Sequence, residues 1–172
     1  MGRDTKRVEK VAKEVFGGNT KVYIGGSQLK RTNVRSSDLD LKIEVPHKLT
    51  WADRETLGIA LEQEFGIGNV DKNHSKIHVV RGESGYIDIL PNSAEYFPPD
   101  FKFDGLGKNP FSCNTTARNA VRIIKTNHPN MPGIMVEKMV LEVQRQNKSI
   151  SLDKLIEKTE EHSCYPFDII RL

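Results

Sequence analysis

Cysteine is nearly missing from this chain. Cys113 and Cys164 stand alone, with no C-x-x-C and no neighbouring histidine pair. That excludes a disulfide-built scaffold and thiolate zinc sites, and reads more naturally as two reduced intracellular thiols than as one bridge. Long apolar runs are missing as well. Runs such as Ile77-His78-Val79-Val80 and Gly133-Ile134-Met135-Val136 fall far below the ~20 residues of a membrane span. The opening MGRDTKRVEK carries charge where a secretory signal has an apolar core, and Lys6 stands where a myristoylation motif on Gly2 wants Ser or Thr. Nor is there an excess of one charge: 26 basic against 23 acidic residues leave +3, so only local clustering could imply a nucleic-acid partner. These absences lead to the expectation of an intracellular, cytoplasmic protein with no membrane partner.

What is present is ordinary globular chemistry. Hydrophobic residues make up 37% and charged residues 28% of 172 positions, about one domain's worth on a prior of roughly 100–200 residues. Residues 7–16 place Val8, Val11, Ala12, Val15 and Phe16 at helical spacing before Gly17-Gly18. Residues 21–24 read as a strand running into Gly25-Gly26-Ser27, and 38–45 (DLDLKIEV) alternate strictly between polar and apolar. Thr50 is a plausible N-cap for a helix over 50–65, with Trp51 expected to pack against the sheet. Strands at 76–80 and 86–90 flank a turn at 81–85, and the Pro- and Asn-rich stretch 91–114 reads as a long surface connection. Helices are expected over 115–127, 133–147 and 151–161, with Met135 and Met139 in the core. The fold class is α+β: a small mixed sheet flanked by helices, with a short C-terminal helical part. The expected organisation is a core over 1–114 with a helical segment, 115–172, packed on it as a single compact unit around one hydrophobic core.

The chemistry concentrates in Asp38 and Asp40. Two apart on a strand, they project from one face with Cα atoms about 6.5 Å apart. Unpaired carboxylates so placed repel and raise each other's pKa, and a divalent cation relieves this. A solvated strand face is the plain alternative. Three features oppose it: Leu39 and Leu41 make the opposite face apolar, Gly25-Gly26-Ser27 offers close backbone approach and phosphate-binding amides, and Asp88 lies inside the apolar strand YIDIL. Two carboxylate-held ions are suited to clamping both oxygens of an in-line phosphoryl displacement.

The segment IGGSQLKRTNVRSSDLDL, with its ten residues between Ser27 and Asp38, resembles the signature of the DNA polymerase β superfamily of nucleotidyltransferases. YIDILP is similar to the third-aspartate strand of the branch holding the 2′-5′-oligoadenylate synthetases, cyclic-dinucleotide synthase-like enzymes and archaeal CCA-adding enzymes. The resemblance implies a nucleotidyltransferase fold and Asp38, Asp40 and Asp88 as catalytic metal ligands for Mg²⁺, with Mn²⁺ as the alternative. It also implies that Gly26 and Ser27 hold nucleotide phosphates. In ARNAVRIIK it implies a cationic wall in which Lys125 matches the phosphate-contacting lysine, with Arg122 beside it and Arg118 one turn earlier. A solvated basic face is the competing reading of that helix, and Lys30, Arg31 and Arg35 are more simply loop polarity than phosphate contacts. His74 and His78 show no ligand spacing.

The expected function is transfer of a nucleoside monophosphate from an NTP, ATP foremost, to an RNA 3′ end or a nucleotide, with release of pyrophosphate. The alternatives are an antitoxin-type minimal nucleotidyltransferase that modifies a protein, and a non-catalytic module of the same fold that binds nucleotide or RNA.

Overall fold

The computed structural model describes residues 2–72, 76–81, 85–96 and 109–163. It divides into two compact units, Met1–Leu29 with Arg35–Gly107 and Lys30–Val34 with Lys108–Leu172. The first is a sheet unit. Its order is α1 (Arg3–Phe16), β1 (Lys21–Ile24), α2 (Gly26–Lys30), β2 (Leu39–Val45), α3 (Trp51–Phe65), β3 (Val70–Asp71), β4 (Ile77–Val80) and β5 (Tyr86–Ser93). The last residue of α2 falls in the helical unit.

The five strands form one mixed sheet in the order β1-β2-β5-β4-β3. β2 and β5 run parallel, and the other pairs are antiparallel. The alternation in DLDLKIEV decides which face is covered: Leu39, Leu41 and Ile43 join Ile87 and Ile89 of β5 in one buried cluster with Val8, Val11, Ala12 and Phe16 of α1 and Leu57 and Leu61 of α3. Both helices therefore cover the leucine face, and the aspartates stand on the other. Arg7 ties α1 to α3, donating from Nε to Glu64 Oε1 at 2.7 Å with its guanidinium 4.0 Å from the Phe65 ring centroid. Glu44 is buried at the end of the alternation and accepts a hydrogen bond from the Tyr23 hydroxyl at 2.8 Å. Burial and that carboxylate push the Tyr23 phenol up to about 12.

Thr50 caps α3 as expected, in a capping box with Asp53: the threonine hydroxyl accepts from the Asp53 amide, and the Asp53 carboxylate accepts from the Thr50 amide. Trp51 does not pack on the sheet. As the first helical residue it is 71% exposed, with the Arg54 guanidinium 5.9 Å from its ring centroid. β5 runs three residues past the expected Leu90 to Ser93, through Pro91. Among the described residues the pairing of β4 with β5 ends at Ile89, two positions before Pro91. The described parts of the expected surface connection are structured: residues 91–93 are strand, Ala94–Tyr96 form a 3₁₀ turn, and Phe111 is fully buried, while 97–108 lie outside the described residues. His74, Cys164 and the centre of the 81–85 turn lie outside the described residues.

The helical unit contains α4 (Thr115–Asn127), α5 (Gly133–Gln146) and α6 (Leu152–Ser163). Asn114 caps α4, its Oδ1 accepting from the Ala117 amide at 3.0 Å. Where the sequence suggested one core, these helices enclose a second: Ala117, Ala120, Val121 and Ile124 of α4 pack with Val136, Val140 and Val143 of α5, Leu155 of α6 and Phe111. Met135 and Met139 are only half-buried; the valine row carries the α5 packing. Residues 30–34 are fastened to this unit through Glu137, 4% exposed, whose carboxylate accepts from Lys30 Nζ and from the Thr32 hydroxyl, each at 2.6 Å.

Candidate functional site

The site is laid out by strand register. On the face of the sheet opposite α1 and α3, Asp40 of β2 is paired with Asp88 of β5, and Asp88 with His78 of β4. Adjacent strands bring such partners to about 4.8 Å backbone separation. Two carboxylates and an imidazole thus stand in one row across the sheet. Asp38 sits just before β2, its Oδ1 accepting from the Tyr86 amide at 2.9 Å, so it is tied to the first residue of the strand that carries Asp88.

Two glycines make room for this row. Gly26 opens α2 at φ +54, and a Cβ there would lie 1.8 Å from Asp40 Oδ2. Gly85, at φ +79, would place a Cβ 2.7 Å from Asp38 Oδ1. Only a residue without a side chain permits both the left-handed backbone and the close approach. The β1–β2 ladder continues into this turn, since the Gly25 amide donates to the Asp40 carbonyl at 2.8 Å. Ser27 follows as the second residue of α2. The expected loop after β1 is therefore a single helical turn resting against Asp40.

Lys76 and His78, to which the sequence reading gave no site role, engage the third aspartate. Lys76 Nζ lies 2.8 Å from Asp88 Oδ2 and 3.7 Å from Asp40 Oδ1, while His78 Nδ1 lies 2.8 Å from Asp88 Oδ1. With Asp88 ionised, the imidazole Nδ1 carries the proton of that bond. Asp88 is 14% exposed and Asp40 37%. Burial pushes the Asp40 carboxyl above the usual range; the Lys76 ammonium opposes this, and the Asp88 and Asp38 charges add to it. Burial acts on Asp88 in the same direction, but the hydrogen bonds from Lys76 and His78 outweigh it and hold that carboxyl below its ordinary value. The same bond to Asp88 holds Lys76 above its ordinary value despite burial. Asp88 is thus neutralised from within the protein, and Asp40 is the group left short of positive charge.

Among the described residues, no three His, Cys, Asp or Glu side chains are gathered as a formed metal cluster. The contacts explain this: one oxygen of Asp38 faces a backbone amide, and both oxygens of Asp88 face cationic or N–H donors. The donor set nevertheless fits a hard divalent cation. Its atoms are carboxylate oxygens, and Asp40, raised by burial and by two neighbouring aspartates, is stabilised by added positive charge.

The cationic residues expected on 115–127 lie in the helical unit. Arg118 donates to the carbonyls of Phe111 and Ser112 and to the Thr115 hydroxyl, which is a fastening of the α4 N-terminus. Arg122 is exposed, and Lys125 Nζ donates to the Thr32 carbonyl at 3.3 Å. Lys30 is paired with Glu137, and Arg31 and Arg35 are exposed.

The amino-acid sequence matches no protein-family model and no curated protein. The structure does have counterparts. A cyclic dinucleotide synthase, CdnE of Elizabethkingia meningoseptica, solved with GTP and Apcpp, matches at TM-score 0.63 and 16% identity over 91% of this chain and 73% of its own. Terminal uridylyl transferase 4 of Trypanosoma brucei, solved with GTP, matches at TM-score 0.64 and 15% identity over 84% of this chain. The non-canonical poly(A) polymerase complex GLD-2–GLD-3 matches at TM-score 0.63 and 13% identity over 98% of this chain and 70% of that one. The chain spans 52% of the length of the uridylyl transferase. These neighbours are nucleotidyltransferases of the superfamily that the motif resembles, and this chain has their fold.

Proposed function

We propose that the chain is a divalent-metal-dependent nucleotidyltransferase, moving a nucleoside monophosphate from an NTP to a hydroxyl acceptor with release of pyrophosphate. The observation that carries the reading is the Asp40–Asp88 register pair, with Asp38 beside it and the Gly26 backbone against Asp40, in a sheet of nucleotidyltransferase fold.

In this reading Asp38, Asp40 and Asp88 hold Mg²⁺ or Mn²⁺. Bound there, the cation would neutralise phosphate charge and orient the α-phosphorus for in-line attack. Asp88, in the middle of the row between Asp40 and His78, would help deprotonate the attacking hydroxyl. The Gly26 and Ser27 amides and the Ser27 hydroxyl bind β- and γ-phosphate oxygens, since the first N–H groups of a helical turn lack intrahelical partners. Asp40, pressed on Gly26, fixes the distance between phosphate cradle and carboxylates. ATP is the favoured donor, and an RNA 3′ end or a second nucleotide the favoured acceptor.

The test is incubation of the protein with each α-labelled NTP and Mg²⁺, with and without a mixed RNA pool, beside Asp40→Asn. A labelled product that falls by about 10²–10³-fold in the variant is expected, the scale of losing one preorganised electrostatic group. Product size then distinguishes extended RNA, a dinucleotide and labelled protein. Nucleotide binding without product under any of these conditions would make the chain a binding module of the same fold.

A further inference from the structure

The Lys76 ammonium occupies a place in the site that the phosphoryl-transfer chemistry does not ask for. It lies within ion-pair distance of two carboxylates on different strands, 2.8 Å from Asp88 Oδ2 and 3.7 Å from Asp40 Oδ1. Its backbone sits at the entry to β4, one residue before Ile77. A single positive charge shared between two aspartates does what a metal ion does there: it offsets their mutual repulsion and fixes their spacing. A metal ion that takes Asp88 Oδ2 as a ligand needs the same lone pairs, and its charge repels the ammonium. The two cations compete. His78 holds the other oxygen, Oδ1, so Asp88 keeps its orientation when Oδ2 is released.

We propose that Lys76 is a positioning residue that acts as an internal counter-cation. It holds Asp40 and Asp88 together in the metal-free protein and must withdraw from Asp88 for a divalent ion to bind, so it sets the metal affinity of the site. This rests on the carboxylate reading under Proposed function. Withdrawal is physically available: the lysine side chain is 40% exposed and carries its charge on a flexible stem that can turn to water. A guanidinium would hold both carboxylates through its fork, but lysine does so as a point charge, which is easier to displace.

The charge effect has a clear sign. Removing the ammonium removes the competitor and leaves the two carboxylates seeking a cation. Lys76→Met is therefore expected to bind Mn²⁺ about tenfold more tightly or better, since the Lys76–Asp88 ion pair at 2.8 Å no longer has to be broken and a Coulomb energy at that distance matters on that scale even at the dielectric of water. Lys76→Arg keeps the charge and should stay near the parent. Mn²⁺ serves as the probe because the free ion is counted directly by its electron paramagnetic resonance, with no turnover needed. Circular dichroism confirms the fold of each variant, and Lys76→Gln replaces Lys76→Met if the latter does not fold.

Tighter Mn²⁺ binding in Lys76→Met or Lys76→Gln, and not in Lys76→Arg, supports the proposal. So does Mn²⁺ binding that appears only once the lysine charge is removed. Unchanged or weaker Mn²⁺ binding in folded charge-removed variants overturns it. If the parent binds Mn²⁺ and Asp40→Asn does not, that failure falls on the role of Lys76 alone. If no variant and no parent binds Mn²⁺, the carboxylate metal reading fails and takes the proposal with it.

Discussion

At the scale of single residues, the site depends on what is left out. Gly26 and Gly85 each press a bare Cα against an aspartate carboxylate, and each sits at positive φ. The two requirements can be separated by substitution. Gly26→Ala adds left-handed strain of about 1–2 kcal/mol and drives a methyl into Asp40 Oδ2. Gly68 has φ +88 with nothing within 4 Å of a Cβ, so Gly68→Ala imposes backbone strain without a clash. Urea unfolding is expected to show a loss of about 1–2 kcal/mol for Gly68→Ala and at least that for Gly26→Ala. Nucleotide transfer should fall in Gly26→Ala alone. Equal activity in the two would mean that the contact between Gly26 and Asp40 does not position the carboxylate. The need for glycine before Ser27 is legible in the sequence because a Gly-Gly-Ser after a strand has few other uses. The need at Gly85 is hidden, since its partner Asp38 is 47 positions away.

At the scale of elements, legibility follows periodicity. The shared face of Asp38 and Asp40 can be read from DLDLKIEV because a strand repeats every two residues, and α4 can be read to its ends because its four buried residues fall on one helical stripe. Lys76 and His78 could not be found that way. Their partner is fixed by the register of β4 against β5, a non-local property that no short window contains. β3 has two residues and α2 five, too few for any period to show. Trp51 misleads for a different reason: an aromatic beside a helix start looks like a packing residue, but the first turn of α3 points it to solvent. The attachment of residues 30–34 is equally non-local. Glu137, on α5, accepts from Lys30 and from the fully buried Thr32. Glu137→Ala leaves the Thr32 hydroxyl without that acceptor, while Lys30, 31% exposed, can turn to water. A loss of about 1–3 kcal/mol is expected, with amide exchange at residues 31–34 accelerated first. Glu137→Gln retains an acceptor for Thr32 and should lose less; an equal loss would assign the stabilisation to the Lys30 charge instead.

At the scale of the molecule, two apolar clusters replace the one core that a chain of this length suggests. The sheet cluster is built by α1, α3 and the leucine face of the strands, the helical cluster by Phe111 and α4–α6. The carboxylate row, its glycines and Lys76 all belong to the sheet unit, so a variant in the helical core tests whether their geometry depends on the other cluster. Leu155, fully buried in the helical cluster, is the natural probe. Leu155→Ala removes a buried branched side chain and should cost about 2–5 kcal/mol, depending on how far the cavity collapses. Native-state hydrogen exchange reports where that cost is felt. Faster exchange confined to α4–α6, with β2 and β5 unchanged, would establish two units that open separately. The Asp40–Asp88 register would then survive loss of the helical core, and Mn²⁺ binding by the variant should match the parent. Acceleration by the same factor in β2 and β5 would mean that the two cores melt as one, and metal affinity measured on any helical variant would then carry the stability of the whole chain within it.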